Sequence, residues 1–220
     1  MSEIVLMGDP AVAAVPVDES GEALVDVRTV DGLTFAAVKP DDGSSAHLRH
    51  GLVARLLDAQ SALPDGFRLV LAEGYRPFDL QERYFEGYRR ELEETDPTLT
   101  GDESYRLASR YVSPPPVAPH VSGAAIDLTL ADSDGRQLEM GTWMNATPEE
   151  SAGACYFAAS NISAEARHHR GVLGTALVAA GLVNYPTEWW HWSYGDRYWA
   201  LMTRSPAALY GPRAAVAGLG

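Results

Sequence analysis

Two short segments carry side chains suited to binding and using a divalent metal: His120-Val121-Ser122-Gly123-Ala124-Ala125-Ile126-Asp127 and, about sixty residues on, Glu188-Trp189-Trp190-His191. His120, Asp127 and His191 make up the two-imidazole, one-carboxylate set that a catalytic zinc ion takes when its fourth position stays open for water. Zinc lowers the pKa of bound water from ~15.7 to about 7, so a neighbouring carboxylate such as Glu188 can complete the deprotonation at neutral pH. The residues therefore point to a zinc hydrolase with one zinc per chain. Taken singly, each histidine also reads as a satisfied core residue. Together with Asp127 and Glu188, among apolar and aromatic neighbours that exclude water, the metal reading is favoured. Positions three apart on a regular strand face opposite sides. Glu188 and His191 can thus share a site only if Glu188 sits on a turn before the strand, which Asn184-Tyr185-Pro186-Thr187 can supply.

The elements that must position these groups follow from periodicity and punctuation. Glu22 to Val38 has apolar residues on both sides of Asp31-Gly32, which predicts a β-hairpin. Leu48, Leu52, Leu56, Ala59 and Leu63 recur at helical spacing and predict a helix over His47–Leu63, closed by Pro64-Asp65-Gly66. Phe67 to Ala72 reads as a strand that ends at Glu73-Gly74-Tyr75-Arg76-Pro77 and leaves Arg76 at a strand exit. A second helix is expected from Asp79, capped by Asp79 with Glu82, and striped by Leu80, Tyr84, Phe85, Tyr88 and Leu92. Its charged residues read as a solvated face. Ser113-Pro114-Pro115-Pro116 is a stiff connector into His120, and Ile126 to Leu130 alternates like a strand. Thr147-Pro148-Glu149-Glu150 predicts a short capped helix. Ser163 to Ala180 predicts a long helix released by Gly181, with His168 and His169 on its surface. This mixed order favours an α+β fold with a mainly antiparallel sheet flanked by helices. With no repeat or linker in view, residues 1–220 are taken as one domain whose first ~45 residues form a hairpin extension.

Charge and composition exclude other classes of function. Thirty acidic residues against 17 basic ones, with Lys39 the sole lysine, give a formal charge of −13. Such a surface repels phosphate backbones and anionic lipid headgroups, so neither nucleic acid nor membrane is an expected partner. Cys155 stands alone in Gly153-Ala154-Cys155-Tyr156-Phe157 and reads as a buried small residue, since no local base would activate it. Asp132-Ser133-Asp134-Gly135 is a turn that lacks the rest of a twelve-residue calcium loop. Met1 to Pro10 has neither a basic nor a long apolar region, from which a cytoplasmic location is expected.

The motif H-x-x-G-x-A-x-D at His120–Asp127, the E-x-W-H element at Glu188–His191 and Gly74-Tyr75-Arg76-Pro77 resemble the VanX-type D-alanyl-D-alanine dipeptidases. That family belongs to the zinc peptidases that share a fold with VanY-type D,D-carboxypeptidases and the hedgehog signalling domain. The resemblance runs from about Leu48 to Trp199, two thirds of the chain. It implies a hedgehog-like α+β fold, zinc on His120, Asp127 and His191, Glu188 as general base, and Arg76 as an electrophilic group beside the scissile carbonyl. A guanidinium so placed would stabilise the negative charge of a tetrahedral intermediate. The competing reading of Arg76 is an ion pair with Glu73 or Asp79.

Two departures from the family pattern concern substrate. Ala118 stands where a serine usually precedes the first zinc histidine by two residues. Met140-Gly141-Thr142-Trp143-Met144-Asn145 ends in a neutral amide where the dipeptidases place an aspartate that receives the substrate amine, so Asn145 forgoes a charge-assisted hydrogen bond. Of the crowded C-terminal tryptophans, Trp189 or Trp190 is expected to line a small substrate pocket, with Trp189 taken together with Asn145 as substrate-binding; the rest pack the sheet. The expected function is a zinc-dependent dipeptidase of small peptides, D-Ala-D-Ala first among them. The alternatives are a carboxypeptidase or amidase on a longer, N-blocked or specialised-metabolite substrate, and a zinc-binding module without peptidase activity.

Overall fold

The computed structural model describes residues 4–37 and 42–213. Its helices are α1 (Pro10–Ala13), α2 (His50–Ala62), α3 (Phe78–Thr95), α4 (Gly101–Ala108), α5 (Ala164–Ala179) and α6 (Arg197–Thr203); its strands are β1 (Leu24–Asp26), β2 (Thr34–Phe35), β3 (His47–Arg49), β4 (Arg68–Glu73), β5 (Ala125–Ala131), β6 (Val183–Asn184) and β7 (His191–Ser193). Five strands form one sheet in the order β2-β4-β5-β7-β6. Only β2 and β4 are parallel; the other pairings are antiparallel. The fold class is α+β with a mainly antiparallel sheet, as expected.

β5 sits in the middle and is buried along its whole length. Alternation sends Ile126, Leu128 and Leu130 into one core with Leu69 and Leu71 of β4, Leu52 and Leu56 of α2, and Leu173 and Leu177 of α5. Each such leucine or isoleucine gains about 1.5–3 kcal/mol from burial. The same alternation turns Asp127 and Thr129 to the opposite face, where the functional side chains gather.

Several local expectations are corrected. Glu22–Val38 is not a hairpin: β1 pairs antiparallel with β3, and β2 pairs parallel with β4. A 3-10 turn over Val27–Thr29, capped by Asp26, separates the two strands and sends them to different sheets. Val38 lies outside the described residues. The helix expected from His47 starts at His50, because His47–Arg49 is consumed by pairing with β1. α3 begins at Phe78 after Pro77 and has no side-chain cap; the Asp79 carboxylate instead accepts from Arg83 at 2.8 Å. Thr147 and Glu150 do exchange the hydrogen bonds of a capping box, but a run of turns follows rather than a helix. α5 is capped by Ser163 and released at Gly181, where φ is +86°. His169 is buried rather than on the surface, its Nδ1 donating to the Glu139 carbonyl at 2.7 Å. No helix among the described residues is long and apolar enough to cross a membrane.

Candidate active site

Strand register brings the functional groups side by side. Asp127 on β5 lies opposite His191 on β7. On its other side it lies opposite Glu73, because β4 carries a bulge between Leu71 and Glu73. Without that extra residue Ala72 would face Asp127 and Glu73 would point into the core; the bulge re-aims the carboxylate onto the functional face. His120 arrives from a 3-10 turn (Pro119–Ser122) entered through the proline connector. Its Nδ1 donates to the Gly74 carbonyl at 2.7 Å, which leaves the Nε2 lone pair for the site. Gly74 must be glycine: a Cβ there would lie 2.7 Å from the His47 carbonyl oxygen and 2.9 Å from that of Ser45. Buried Arg49 fastens the far end of the His120 turn, donating from Nε to the Ser122 carbonyl at 2.7 Å and from Nη1 to Glu19 at 2.8 Å.

Glu188 sits on a turn just before β7, as its sharing a site with His191 requires. Its backbone N–H donates to Tyr185 O at 2.9 Å, and Asn184 Nδ2 donates to the carbonyls of both Glu188 and His191 at 2.9 Å. One amide thus clamps the two carbonyls of the turn. The Glu188 carboxylate comes to rest 3.8 Å from His191 Nδ1.

His120 Nε2, Asp127 Oδ1 and His191 Nδ1 converge at 3.1 Å between the imidazoles, 3.3 Å from His120 to Asp127 and 3.0 Å from His191 to Asp127. All three residues are buried. Because His120 Nδ1–H is spent on Gly74, at most one hydrogen, on His191, can sit among these three heteroatoms while both rings are neutral. Three lone-pair donors facing one another at buried positions are satisfied by a cation, and two imidazoles with one carboxylate suit zinc among the common metals. Electrostatics points the same way. Burial alone would raise the Asp127 carboxyl, but the two imidazoles hold it well below the usual carboxylate range. Burial pushes His191 down, toward the neutral ring that can ligate. Burial, aided by the Asp127 charge, pushes Glu188 well up.

These residues open into a cavity of about 550 Å³ that is also lined by Arg76, Tyr111, Asn145 and Trp190. The ion pair of Arg76 with Glu73 is present, Nε to Oε1 at 2.6 Å, and Gln81 Oε1 takes Nη1 at 2.8 Å. Nη2 is the guanidinium nitrogen without a hydrogen bond among the described residues, so the pairing aims Arg76 rather than consuming it. Burial would lower the Arg76 pKa, but Glu73 more than reverses this and keeps it charged. Asn145 lines the cavity in a left-handed conformation, φ +66°, its carbonyl held by the Tyr111 hydroxyl at 2.9 Å. Trp189 does not line the cavity. Successive side chains of the turn diverge, and its indole goes back into the core, where Nε1 donates to Thr142 Oγ1 at 2.8 Å, leaving Trp190 on the cavity wall. Gln81 and Tyr111 also reach the site, and neither belongs to the motifs in the sequence. Gln81 had a signal: it precedes Tyr84, Phe85 and Tyr88 by three, four and seven residues, a polar side chain on the buried stripe. Tyr111 follows α4 and had none.

A buried carboxylate-imidazole triad with a second carboxylate and a guanidinium facing the same cavity is a donor set for hydrolysis at a metal. The family model for peptidase family M15, D-ala-D-ala dipeptidase, matches residues 29–206, and the chain belongs to that family. It is accordingly a metallopeptidase, a hydrolase. A D-alanyl-D-alanine dipeptidase of Synechocystis sp. is 27% identical over 219 residues, covering 85% of this chain and 87% of the relative. A D-alanyl-D-alanine dipeptidase of Escherichia coli is 28% identical over 126 residues, 57% of this chain and 54% of that protein. The solved structure of the vancomycin resistance D,D-pentapeptidase VanY in complex with Zn(II) shares 16% identity, with a TM-score of 0.43 over 91% of this chain and 96% of its own.

Proposed function

We propose that the chain is a zinc-dependent dipeptidase that hydrolyses the amide bond of a small peptide, D-Ala-D-Ala first among the candidates. The observation that carries this reading is the convergence of His120 Nε2, Asp127 Oδ1 and His191 Nδ1 beside the Glu188 carboxylate. The names of the two dipeptidase relatives support the choice of substrate. Zinc held by the three side chains would act as Lewis acid toward the substrate carbonyl and acidify the attacking water. Glu188 takes the proton from that water as its oxygen bonds to the carbonyl carbon, and returns it to the departing amine as the C–N bond breaks. Arg76, pinned by Glu73 and Gln81, presents Nη2 to the carbonyl oxygen as negative charge develops there. Asn145 stands at the cavity wall as a neutral hydrogen-bonding partner for the substrate. The rest of the reading is a single domain, acting in the cytoplasm on a small soluble substrate.

The test is a library of L,L, D,D and mixed dipeptides offered to the zinc-loaded protein, with products read by mass. Cleavage led by D-Ala-D-Ala is expected. A protein that binds one equivalent of zinc yet cleaves nothing in the library is instead a binding module.

A further inference from the structure

Asn184 clamps the Glu188 turn from one side, and a strap of irregular backbone holds it from the other. Trp189 N donates to the Cys155 carbonyl at 2.9 Å and Phe157 N to the Pro186 carbonyl at 3.0 Å, so the strap grips the turn on either side of Glu188. Residues 154–157 lie in no helix or strand. Backbone outside any ladder fixes a neighbour only if it is itself fixed.

Arg170 of α5, 1% exposed, supplies that anchor. Its Nε donates to the Met140 carbonyl at 2.7 Å, Nη1 to that of Tyr156 at 2.6 Å and Nη2 to that of Ala154 at 2.8 Å. One planar group thus joins the beginning of the irregular segment to its end. The carbonyls of Ala154 and Tyr156 go to Arg170, while the one between them, of Cys155, goes to the Glu188 turn. The guanidinium also lies 5.6 Å from the Trp189 ring. One turn further along α5, Gly174 makes room for the strap's Phe157: a Cβ there would come within 2.7 Å of that ring. The same ring packs edge-on against Trp192 of β7.

The charge buried in Arg170 needs a reason. Among the described residues every hydrogen bond of its guanidinium goes to a backbone carbonyl. Burial pushes its pKa down to about 10, so the group is still charged at neutral pH. Burying a cation without an anion beside it is costly, and an apolar side chain would fill the position with less loss. What an apolar side chain could not do is hold the carbonyls of residues 140, 154 and 156 at fixed separations.

We propose that Arg170 is a positioning residue for Glu188, acting through the strap: by fixing residues 154–157 it sets where the turn is held at Pro186 and Trp189, and so how far the Glu188 carboxylate reaches. This rests on the reading of Glu188 as the general base. A misplacement of about 1 Å is enough to cost ~10²-fold in rate.

The experiment follows D-Ala-D-Ala hydrolysis by the zinc-loaded full chain in Arg170→Met and Arg170→Lys, each with and without Glu188→Gln. Arg170→Met is expected to lower kcat by about ten- to hundredfold, with KM within about twofold and zinc content unchanged. Arg170→Lys, which keeps the charge but reaches fewer carbonyls, should recover part of that loss. On top of Glu188→Gln, Arg170→Met should cost less than about threefold more, because the base it serves is gone. Amide exchange read by NMR reports the geometry without turnover. Trp189 N–H and Phe157 N–H should exchange at least about tenfold faster in Arg170→Met, and the amides of β5 at unchanged rates. Unchanged kcat, loss of zinc, equal losses in both backgrounds, or unchanged exchange at Trp189 and Phe157 overturns the proposal. If Glu188→Gln alone turns over like the wild type, or no dipeptide is cleaved, the general-base reading falls, while the exchange rates still decide whether Arg170 holds the turn. Should Arg170→Met fail to fold, Arg170→Lys is judged by the same readouts.

Discussion

Around Asp127, three adjacent strands fix three side chains of the site by register: Glu73, Asp127 and His191 lie in one row, Asp127 and His191 buried and Glu73 partly so. Across the cavity, residues 141–157 make only bends, turns and irregular backbone, and Trp143 projects into solvent. The floor is bound by backbone ladders, and the rim by scattered contacts: side-chain hydrogen bonds, several of them from Arg170, and isolated backbone bonds such as Phe157 N to Pro186 O. Register tolerates no drift, because a slip of one residue reverses every side chain, so the floor suits ligands that must meet within a few tenths of an ångström. A loop tied at separate points can change its side chains without moving the floor, which suits choice of substrate. The sharpest way to break this comparison is to remove one floor ligand and one rim side chain. Asp127→Ala is expected to lose both zinc and turnover, the latter to background, with metal content measured on the purified protein. Trp143→Ala should keep its zinc. Loss of metal from both would mean that floor and rim are not separate.

Beside the floor, Glu188 and Gln81 separate chemistry from support. Glu188→Gln keeps the shape of the turn, and turnover is expected to fall by ~10² to 10⁴ with zinc retained, the range for losing a general acid-base group. Wild-type-like rates would remove Glu188 from the mechanism. Gln81 uses both ends of its amide: Oε1 accepts from Arg76, and Nε2 donates to the Ser113 carbonyl at 2.7 Å. Gln81→Met has similar volume but no polar end. It should lower kcat by about tenfold with little change in KM, less than the ~10² to 10³ for deleting an oxyanion donor outright. Combining it with Arg76→Lys should cost less than the sum of the two, since both act on one guanidinium.

How far these parts were legible in the sequence follows the same division. His120, Asp127, His191 and Glu188, which the fold brings together, could be picked out because each lies in a short segment of characteristic residues, and the expected turn before His191 is where Glu188 sits. The partners of the first strands could not, because Asp31-Gly32 carries the local chemistry of a hairpin while the pairing of β1 with β3 spans about twenty residues and depends on the rest of the chain. Glu73 entered only as a possible ion-pair partner, since a bulge that re-aims a carboxylate leaves no mark in the residue pattern. The rim was least legible: Tyr84 and Tyr88 fit a core stripe, and nothing local says that the stripe also borders a cavity or that Trp190 rather than Trp189 faces it.

Asp196, which does not line the cavity, follows β7 and caps α6, accepting from Tyr198 N at 2.9 Å and Trp199 N at 3.3 Å. Burial outweighs these bonds and pushes its pKa up to about 6 from 3.8. Between those two values the folded protein holds more of this proton than the unfolded chain does. The group's contribution to stability is therefore fully present below pH 3.8, declines as pH rises, and is lost above about 6. Asp196→Asn keeps a capping oxygen without the charge. Denaturant unfolding at intervals from pH 4 to 7 should show the variant gaining on the wild type as pH rises, by at most about 3 kcal/mol. A difference that does not change with pH would mean that the carboxylate is ionised at no cost.

The smallest expected effect lies at the rim and bears most directly on why the two regions differ. A glycine inside a helix costs about 0.5–1 kcal/mol relative to alanine, and at Gly87 a methyl group meets open space. Gly87→Ala should raise unfolding stability by about that amount, read as a higher Tm. Such a gain would mean that glycine at this position serves something other than the fold, and the nearest candidate is the cavity it lines. No gain, or a loss, would mean that α3 needs glycine there for its own packing, and the rim would then be as tightly bound to the architecture as the floor.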